Sequence, residues 1–279
     1  MKLTFLGTGT SQGVPVIACG CHVCHSDDPR DKRLRTSALL QVFSEQCVVF
    51  SDATPMVEKE LNTKHLTLNT KNILFDIGPD FRQQMLRAHV DHLDAILITH
   101  AHRDHVAGLD DIRSFNYLQK KKMEVYLNHE AEVAIQRDYH YIFEPHQYPG
   151  LPEANLHVVN SEFEIPNSES VTPIKVMHKD LPVLGYRIGP LGYITDANYI
   201  APEELDKLKG VKVLVINALR KEKHFSHYCL PEALEVISKV APERAYLTHI
   251  SHEMGFHAEV QASLPQGVWL AYDNLEITI

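Results

Sequence analysis

The sequence predicts an α/β (or α+β) protein built from two β-sheets packed face to face, with helices on the outside. Three observations favour this fold class. Short apolar runs recur along the chain, and five of them end in a carboxylate or an imidazole. Segments with helical spacing lie between these runs. No linker or low-complexity segment divides the 279 residues, of which 44% are hydrophobic, so we expect one domain with one shared core.

The first half of the chain opens with a strand and a glycine-punctuated segment, Gly7 to Pro15, which we interpret as a hairpin or bend. A phosphate-binding loop would need a helix directly after it and a Lys-Ser/Thr pair, and the sequence shows neither. A small metal-binding loop is expected at about 16–35 and an insertion without an assigned role at about 51–71. The expected strands are 3–6, 37–43 paired with 47–50, 73–75, 95–98 and 123–127, and the expected helices are 81–88, 106–118 and 130–139.

The second half repeats one pattern, a strand-like run that ends in a metal-type ligand. The expected strands are 174–177, 191–195, 211–216 and 245–248, and the expected helices are 202–208 and 231–240. Together with two runs in the first half, five strands would deliver acidic or imidazole groups to a common edge. The aromatic and proline-rich stretch 139–149 fits a lid over a pocket, a subunit contact or plain packing.

The strongest local signal is the motif His100-Ala-His102-Arg-Asp104-His105, which follows the buried run 95–98. In an extended segment His100 and His102 point to the same side. Asp104 and His105, one turn further on at the start of a helix, can reach a neighbouring point. Four ligand-type side chains within six residues suit one metal ion and suit two better.

Three more strand ends supply the remaining ligands of a dinuclear centre. We expect His100, His102 and His178 to hold one divalent ion, Asp104, His105 and His249 to hold a second, and Asp196 to bridge them. Asp76, at another strand end, is placed to orient an imidazole ligand. Nitrogen and oxygen donors of this kind suit zinc, manganese or iron. Two such ions lower the pKa of a bridging water, whose hydroxide is the expected nucleophile, with Asp104 and Asp196 in the catalytic set.

A second metal site is predicted by Cys19-Gly-Cys21-His-Val-Cys24. In a reducing compartment such a cluster is more typical of a metal site than of disulfides. Three thiolates supply most of a tetrahedral zinc site, and a closed site needs a fourth protein ligand. His22 or His25 could serve locally.

Composition narrows the range of partners. A formal net charge of −9 repels a polyanion and provides no broad basic face, so an extended nucleic acid is not expected. The N-terminus has no signal-peptide pattern, and no apolar run reaches the length of a membrane span, so we expect a cytoplasmic protein without a membrane partner. A small-molecule substrate is expected, and a homodimer stays open.

The H-x-H-x-D-H motif, together with the later His, Asp and His, resembles the metallo-β-lactamase superfamily over nearly the whole chain. That resemblance implies an αββα sandwich with a dinuclear site at one edge. More narrowly, Gly7-Thr8-Gly9, Ser11-Gln12-Gly13-Val14-Pro15, the cysteine cluster and Thr248-His249-Ile250-Ser251-His252 resemble the cyclic phosphodiesterases of bacterial phosphonate breakdown, the PhnP family.

This narrower resemblance implies a phosphodiesterase that opens ribosyl cyclic phosphates, with two manganese or zinc ions in the active site and one separate structural zinc. It points to His252 as the fourth zinc ligand and to His227 as the general acid for the leaving oxygen. His224 is close enough to compete for that role. Arg220 or Lys223 could hold a phosphate oxygen, although such a charge run is more often a solvated face.

Three other interpretations remain. A ribonuclease Z-like endonuclease would need a basic arm, and the dense lysine run of the sequence is Lys120 to Lys122. Similar three-cysteine clusters also resemble a superfamily member of quinone-cofactor biosynthesis. The non-enzyme alternative is a metal-stabilised scaffold. The presence of all seven expected ligands argues against it.

Overall fold

The computed structural model describes residues 1–48, 65–145, 149–166 and 169–279, with the backbone alone at 44–48 and 65–69. Two twisted sheets form the centre of the molecule. Residues 51–64 of the expected insertion and residues 146–148 of the aromatic stretch lie outside the described ranges. The remaining part of that insertion, 65–71, belongs to a long strand.

The first sheet has antiparallel strands on one side and parallel strands on the other. In spatial order it contains β15 (Glu276–Thr278), β1 (Lys2–Gly7), β2 (Ser37–Val48), β3 (His65–Phe75), β4 (Ala95–Leu97), β5 (Met123–Leu127) and β6 (Ala154–Val158). The strands β3 to β6 are parallel, so their carboxyl ends meet at one edge of the sheet.

The second sheet repeats this arrangement. In spatial order it contains β11 (Tyr199–Ile200), β8 (Ser170–His178), β9 (Leu181–Ile188), β10 (Leu191–Tyr193), β12 (Val213–Asn217), β13 (Arg244–Thr248) and β14 (Val268–Leu270), and β7 (Phe163–Glu164) pairs with β8. The strands β10, β12, β13 and β14 are parallel, and β8 runs in their direction because it is antiparallel to β9. The carboxyl ends of β8, β10 and β13 therefore share an edge.

Helices cover both outer faces. The first sheet carries α1 (Phe81–Arg87), α2 (Arg103–Val106), α3 (Arg113–Gln119), α4 (His129–Asp138) and α5 (His140–Phe143). The second sheet carries α6 (Pro202–Asp206), α7 (Leu230–Val240) and α8 (His257–Ser263). Short 3₁₀ turns lie at Pro29–Asp31, Leu109–Ile112 and His252–Met254. The result is a four-layer αββα sandwich, which confirms the predicted fold class.

Strand alternation explains how each sheet serves two cores. Phe75 of β3 enters the apolar layer between the sheets, whereas its neighbour Leu74 packs against the outer helices. Between the sheets Phe75 stacks on Tyr193 at a centroid distance of 4.2 Å. Pairs of this kind contribute about 0.5–1.5 kcal/mol beyond their buried area.

Two hydrogen bonds join the sheets directly beside the predicted metal motif. The hydroxyl of Tyr186, on β9, donates to the carbonyl of Ile98 at 2.6 Å. The backbone N–H of Leu184 on the same strand donates to the carbonyl of Thr99 at 2.9 Å. Because Ile98 and Thr99 immediately precede His100, the second sheet holds the residues that lead into the motif.

Two sequence-based expectations differ from the structure. The expected pairing of 37–43 with 47–50 is wrong, because 37–48 is one strand and its partner is His65–Phe75. The expected helix 106–118 is divided at Gly108, where α2 has ended and a 3₁₀ turn leads into α3. A Cβ atom at Gly108 would lie 2.4 Å from the carbonyl oxygen of Gly78, so this close approach requires glycine.

Candidate metal centre

The carboxyl ends of strands from both sheets meet at one edge of the sandwich, and all seven expected ligands lie there. His178 ends β8, Asp196 follows β10, and His249 directly follows β13. Two donor sets result, each with ligand atoms within 4.8 Å of one another. They are His100, His102, His178 and Asp196, and Asp104, His105, Asp196 and His249.

Asp196 belongs to both sets and lies between them. Its Oδ2 atom is 3.7 Å from Nε2 of His100 and 3.3 Å from Nε2 of His105. Its Oδ1 atom is 3.0 Å from Nδ1 of His249. The carboxylate of Asp196 thus lies beside imidazoles of both donor sets.

The unpaired polar atoms of the site fit bound cations. Nε2 of His100 and Nε2 of His105 are buried, and neither has a hydrogen-bond partner among the described residues. Buried polar atoms without a partner are rare and call for an explanation such as an ion. With carboxylate oxygens beside them, these imidazole nitrogens form a donor set that suits zinc or manganese.

Electrostatics at the centre favour positive charge. Burial lowers the pKa of His105, but the neighbouring carboxylates of Asp196, Asp76 and Asp104 outweigh it and raise that pKa well above its usual value. Burial raises the pKa of Asp196, yet His249 and His105 hold it well below its ordinary range. The carboxylates of Asp196 and Asp104, whose pKa values are both lowered, therefore stay ionised and attract a cation.

Three of the imidazoles are oriented by oxygen atoms at Nδ1. Nδ1 of His105 is 2.7 Å from Oδ2 of Asp76. Nδ1 of His100 is 3.0 Å from the hydroxyl of Thr99, which itself donates to Asp76. Nδ1 of His178 is 2.7 Å from the carbonyl of Ser226. At His100 and His105 the other ring nitrogen, Nε2, lies beside Asp196, which is the usual arrangement around metal-bound histidine.

Three residues of the centre have left-handed backbone conformations. Asp76, Asp196 and His249 each follow a strand and have φ values of 57°, 57° and 55°. Non-glycine residues in this region are uncommon and cost about 1–3 kcal/mol. The side chain of Asn217 supports one of these turns, since it exchanges two hydrogen bonds with the backbone of Ala197. Sequence reasoning missed Asn217 and Thr99, although both stand at strand ends.

His227 lies between the two donor sets. Its ring centroid is 4.4 Å from that of His178 and 5.0 Å from that of His249. Burial is the main factor that lowers the pKa of His227, to about 3, so the ring is neutral in the protein alone. The ring of His224 contacts that of His227 at a centroid distance of 5.3 Å. The structure thus brings the first of the two candidate histidines closer to the centre.

The two candidate phosphate contacts, Arg220 and Lys223, have different surroundings. Nη1 of Arg220 is 2.6 Å from Oε2 of Glu253, and the same guanidinium donates to the carbonyls of Glu222 and Lys223. Arg220 therefore braces the loop that carries His227. The side chain of Lys223 is exposed to solvent.

The cysteine cluster forms a third donor set with His252. Nδ1 of His252 is 3.4 Å from Sγ of Cys19 and 3.2 Å from Sγ of Cys21, and Cys24 completes the group. The hydrogen bond to His252 is the largest factor that lowers the pKa of Cys21, to about 6, whereas burial raises that of Cys24 to about 11. A thiolate at Cys21 is the form that binds a metal ion.

The two local candidates for the fourth ligand lie outside this donor set. The described donor set does not include His22 or His25. Nδ1 of His25 is 3.1 Å from the carbonyl of Cys21 instead, and its side chain is exposed.

A family model described as a beta-lactamase superfamily domain matches residues 71–250 of this chain. The chain belongs to the metallo-β-lactamase superfamily. Within that superfamily it is similar to a solved structure described as a new diphosphatase from the PhnP family, with 33% identity and a TM-score of 0.82. The match covers 99% of this chain and 96% of the other. The membership and this match support a hydrolase.

A curated relative from Porphyromonas gingivalis, named octanoyltransferase, is 38% identical over 281 residues. The match covers 100% of this chain and 52% of the relative, so the chain spans about half the length of that protein. The zinc-bound PqqB structure from Methylobacterium extorquens is 18% identical, has a TM-score of 0.72 and covers 100% of each chain. That similarity shows the shared superfamily fold.

None of the helices in the described ranges is both long enough and apolar enough to cross a bilayer.

Proposed function

We propose that this metallo-β-lactamase-fold hydrolase is a dinuclear metal-dependent phosphodiesterase that acts on a small phosphodiester, with ribosyl cyclic phosphates as the leading substrate class. The observation that carries the proposal is the pair of donor sets that share Asp196. His227 stands between the sets, where a proton is needed for a leaving oxygen.

The donor sets define which residues would hold the metal ions. His100, His102 and His178 with Asp196 would hold one ion, and Asp104, His105 and His249 with Asp196 the other. When bound, two such ions acidify water and neutralise charge on a phosphoryl group. Manganese or zinc fits these nitrogen and oxygen donors. Cys19, Cys21, Cys24 and His252 would hold a structural zinc.

The chain itself supplies orientation and a proton. Asp76 and Thr99 fix the rings of His105 and His100, so that Nε2 of each faces the reacting groups. Nδ1 of His227 is buried, and we propose that Nε2 of this ring donates to the leaving oxygen. A phosphate anion beside a neutral imidazole raises the pKa of that imidazole. Substrate binding would therefore prepare His227 to act as an acid.

Features at the rim favour a ligand with an apolar face and an anionic group. Phe225, two residues before His227, is 70% exposed. Nζ of Lys179, which follows the ligand His178, lies 5.9 Å from the centroid of the Phe225 ring. An exposed aromatic ring can stack on a sugar or base, and the lysine can meet a phosphate. The net charge of −9 favours a small ligand over a polyanion.

A screen of the purified, metal-loaded protein tests the proposal. The panel contains ribosyl cyclic phosphates, other phosphodiesters, phosphomonoesters and thioesters, with metal analysis of the same sample. We expect about three ions per chain, from two active-site ions and one structural zinc, and turnover of cyclic phosphodiesters. A single zinc per chain without turnover would support the scaffold interpretation instead. The cysteine cluster also favours a reducing, cytoplasmic compartment.

Hydrolysis of a diphosphate is the second candidate, because the 33% identical structure is described as a diphosphatase. The same dinuclear arrangement can serve either phosphoryl bond. Nucleoside diphosphate esters therefore join the panel, and an octanoyl thioester tests the name of the Porphyromonas gingivalis relative. An acyl transferase would use a nucleophile such as cysteine or lysine, whereas the two sets around Asp196 contain His and Asp.

A further inference from the structure

The glycine-punctuated segment Gly7 to Thr10 packs against the backbone beside His249. This segment lies between the chain at 33–36 and the residues that follow β13. The N–H of Ile250 donates to the carbonyl of Thr8 at 2.8 Å, and the N–H of Thr10 donates to the carbonyl of Ile250 at 3.2 Å. These two hydrogen bonds hold the backbone next to His249 against the Gly7–Thr10 segment.

Close packing explains why glycines stand in this segment. A Cβ atom at Gly7 would lie 2.0 Å from the carbonyl oxygen of Arg35, and one at Gly9 would lie 3.0 Å from that of Leu34. The carbonyl of Gly9 accepts the backbone N–H of Thr36 at 3.0 Å and the hydroxyl of Thr36 at 2.8 Å. The position and the direction of the Thr36 hydroxyl are therefore both fixed by Gly9.

The same hydroxyl oxygen lies 3.1 Å from Nδ1 of His249, and both side chains are buried. A carbonyl oxygen can only accept, so the hydroxyl proton of Thr36 belongs to the bond with Gly9. The oxygen then accepts a proton from Nδ1 of His249, beside which a second acceptor, Oδ1 of Asp196, lies at 3.0 Å. The remaining nitrogen, Nε2, is left with a lone pair for a metal ion.

We propose that Thr36 is a positioning residue for His249, which fixes the ring and its tautomer as Asp76, Thr99 and the Ser226 carbonyl do for the other buried imidazoles. Apart from Thr36, the oxygen beside Nδ1 of His249 is Oδ1 of Asp196 at 3.0 Å, which belongs to the donor sets themselves, whereas Asp76, Thr99 and Ser226 lie outside those sets. The proposal rests on the dinuclear metal centre of the proposed function.

The test compares two substitutions of Thr36 in metal-depleted protein titrated with zinc or manganese alone. Thr36→Val keeps the shape and removes the hydroxyl, whereas Thr36→Ser keeps the hydroxyl. We expect Thr36→Val to weaken one of the two active-site ions by about 10- to 100-fold. Thr36→Ser should keep the affinity within about threefold of the wild-type value, because serine keeps the hydroxyl that bonds to His249.

Thr248→Val is the matched control. Thr248 is also a buried threonine beside His249, but its hydroxyl has no hydrogen-bond partner in the described part of the chain. Its substitution should leave the affinity of every ion unchanged. Equal affinity in Thr36→Val and wild type would overturn the proposal, as would an equal loss at all three ions that Thr36→Ser does not restore.

A second measurement on the unmodified protein does not depend on the folding of any variant. Nitrogen-15 NMR of the His249 ring reports which nitrogen carries the proton, and we expect Nδ1. A proton on Nε2 would contradict the proposal. If the wild-type protein bound no pair of ions at all, the proposed function itself would fail, which is a separate outcome.

Discussion

The His/Asp centre and the cysteine cluster of this protein are neighbours in space that are built in different ways. The centre takes its ligands from strand ends of both sheets, buries five of the seven, and shares one carboxylate between two donor sets. The cluster takes three thiols from six consecutive residues of one loop and a single imidazole from beyond β13. The first arrangement suits chemistry, and the second suits a closed structural ion.

The two sites are nevertheless linked through the chain after β13. His249 belongs to the centre and His252, three residues later, belongs to the cluster. Glu253 then pairs with Arg220 of the loop that carries His227. We therefore expect that loss of the cluster would shift the positions of residues in the centre. Loss of ligands in the centre should leave the cluster intact.

The largest effect is expected for Asp196→Ala, because this carboxylate serves both donor sets. Turnover should fall by at least about 10²- to 10³-fold, as for other losses of charge stabilisation at a reacting centre. Metal analysis should show that two ions are lost and that the cysteine-bound ion is retained.

Asp180→Ala is the control for that substitution, since Asp180 lies two residues after the ligand His178 and its side chain is 89% exposed. It should keep all three ions and full turnover. An Asp196→Ala protein with three ions and normal turnover would contradict the assignment of the bridging ligand.

His227→Asn should separate proton transfer from metal binding within the centre. We expect kcat to fall by about 10²- to 10⁴-fold, the usual contribution of a general acid, with the metal content unchanged. His224→Asn is the matched variant and should change kcat much less. If the two variants exchanged these effects, His224 would be the acid.

Cys21→Ser should affect stability more than chemistry. It removes the thiolate of the cluster, so one ion per chain should be lost and Tm should fall by about 2–4 °C for each kcal/mol of stability lost. Cys229→Ser is the control, because Cys229 is buried at the start of α7 outside every donor set. A Cys21→Ser protein with its full metal content would argue against the structural site.

The smallest expected effect is a change in the pH dependence of stability, and it concerns His257. Burial, with Arg33 and Arg30 nearby, lowers the pKa of His257 to about 4, while Asp28 and Asp31 oppose the shift. Between pH 6.5 and 4 the unfolded chain binds a proton at this residue that the folded protein does not bind. The stability that His257 contributes above pH 6.5 is therefore lost as the pH falls toward 4.

Thermal unfolding at pH 7.5 and pH 5 measures this contribution. His257→Gln should reduce the fall in Tm between the two pH values, since glutamine does not titrate. His129→Gln provides the control, because the side chain of His129 is 71% exposed. An unchanged pH dependence in His257→Gln would show that other groups carry the acid sensitivity.

Much of the centre could be predicted because each ligand follows an apolar strand. The runs before His100 and His249 are short and mostly buried, the longer strand that ends in His178 is partly buried, and the carboxyl ends of these strands lie at one edge. The fold class followed from the same runs. The element bounds were close wherever a run was continuous, as at Met123–Leu127.

The remaining features depend on contacts that have no local pattern. Thr36 lies 213 positions before the imidazole that it contacts, and the acceptor for His178 is a backbone carbonyl. The residues with left-handed backbone conformations at positions 76 and 196 are aspartates. The sequence therefore lacks the glycine or asparagine that usually indicates this conformation. His252 as a partner of the cysteine cluster came from the family resemblance, since spacing alone favoured a nearer histidine.

Two hydrogen bonds join the sheets directly before the metal motif, from Tyr186 to Ile98 and from Leu184 to Thr99. The motif therefore lies where the two sheets are connected. A break that separated the halves would remove ligands from both donor sets at once, since each set draws on both sheets. Neither half could therefore retain a partial catalyst. Bound ions would in turn hold the halves together, so removal of the metal ions should lower the stability of both sheets together.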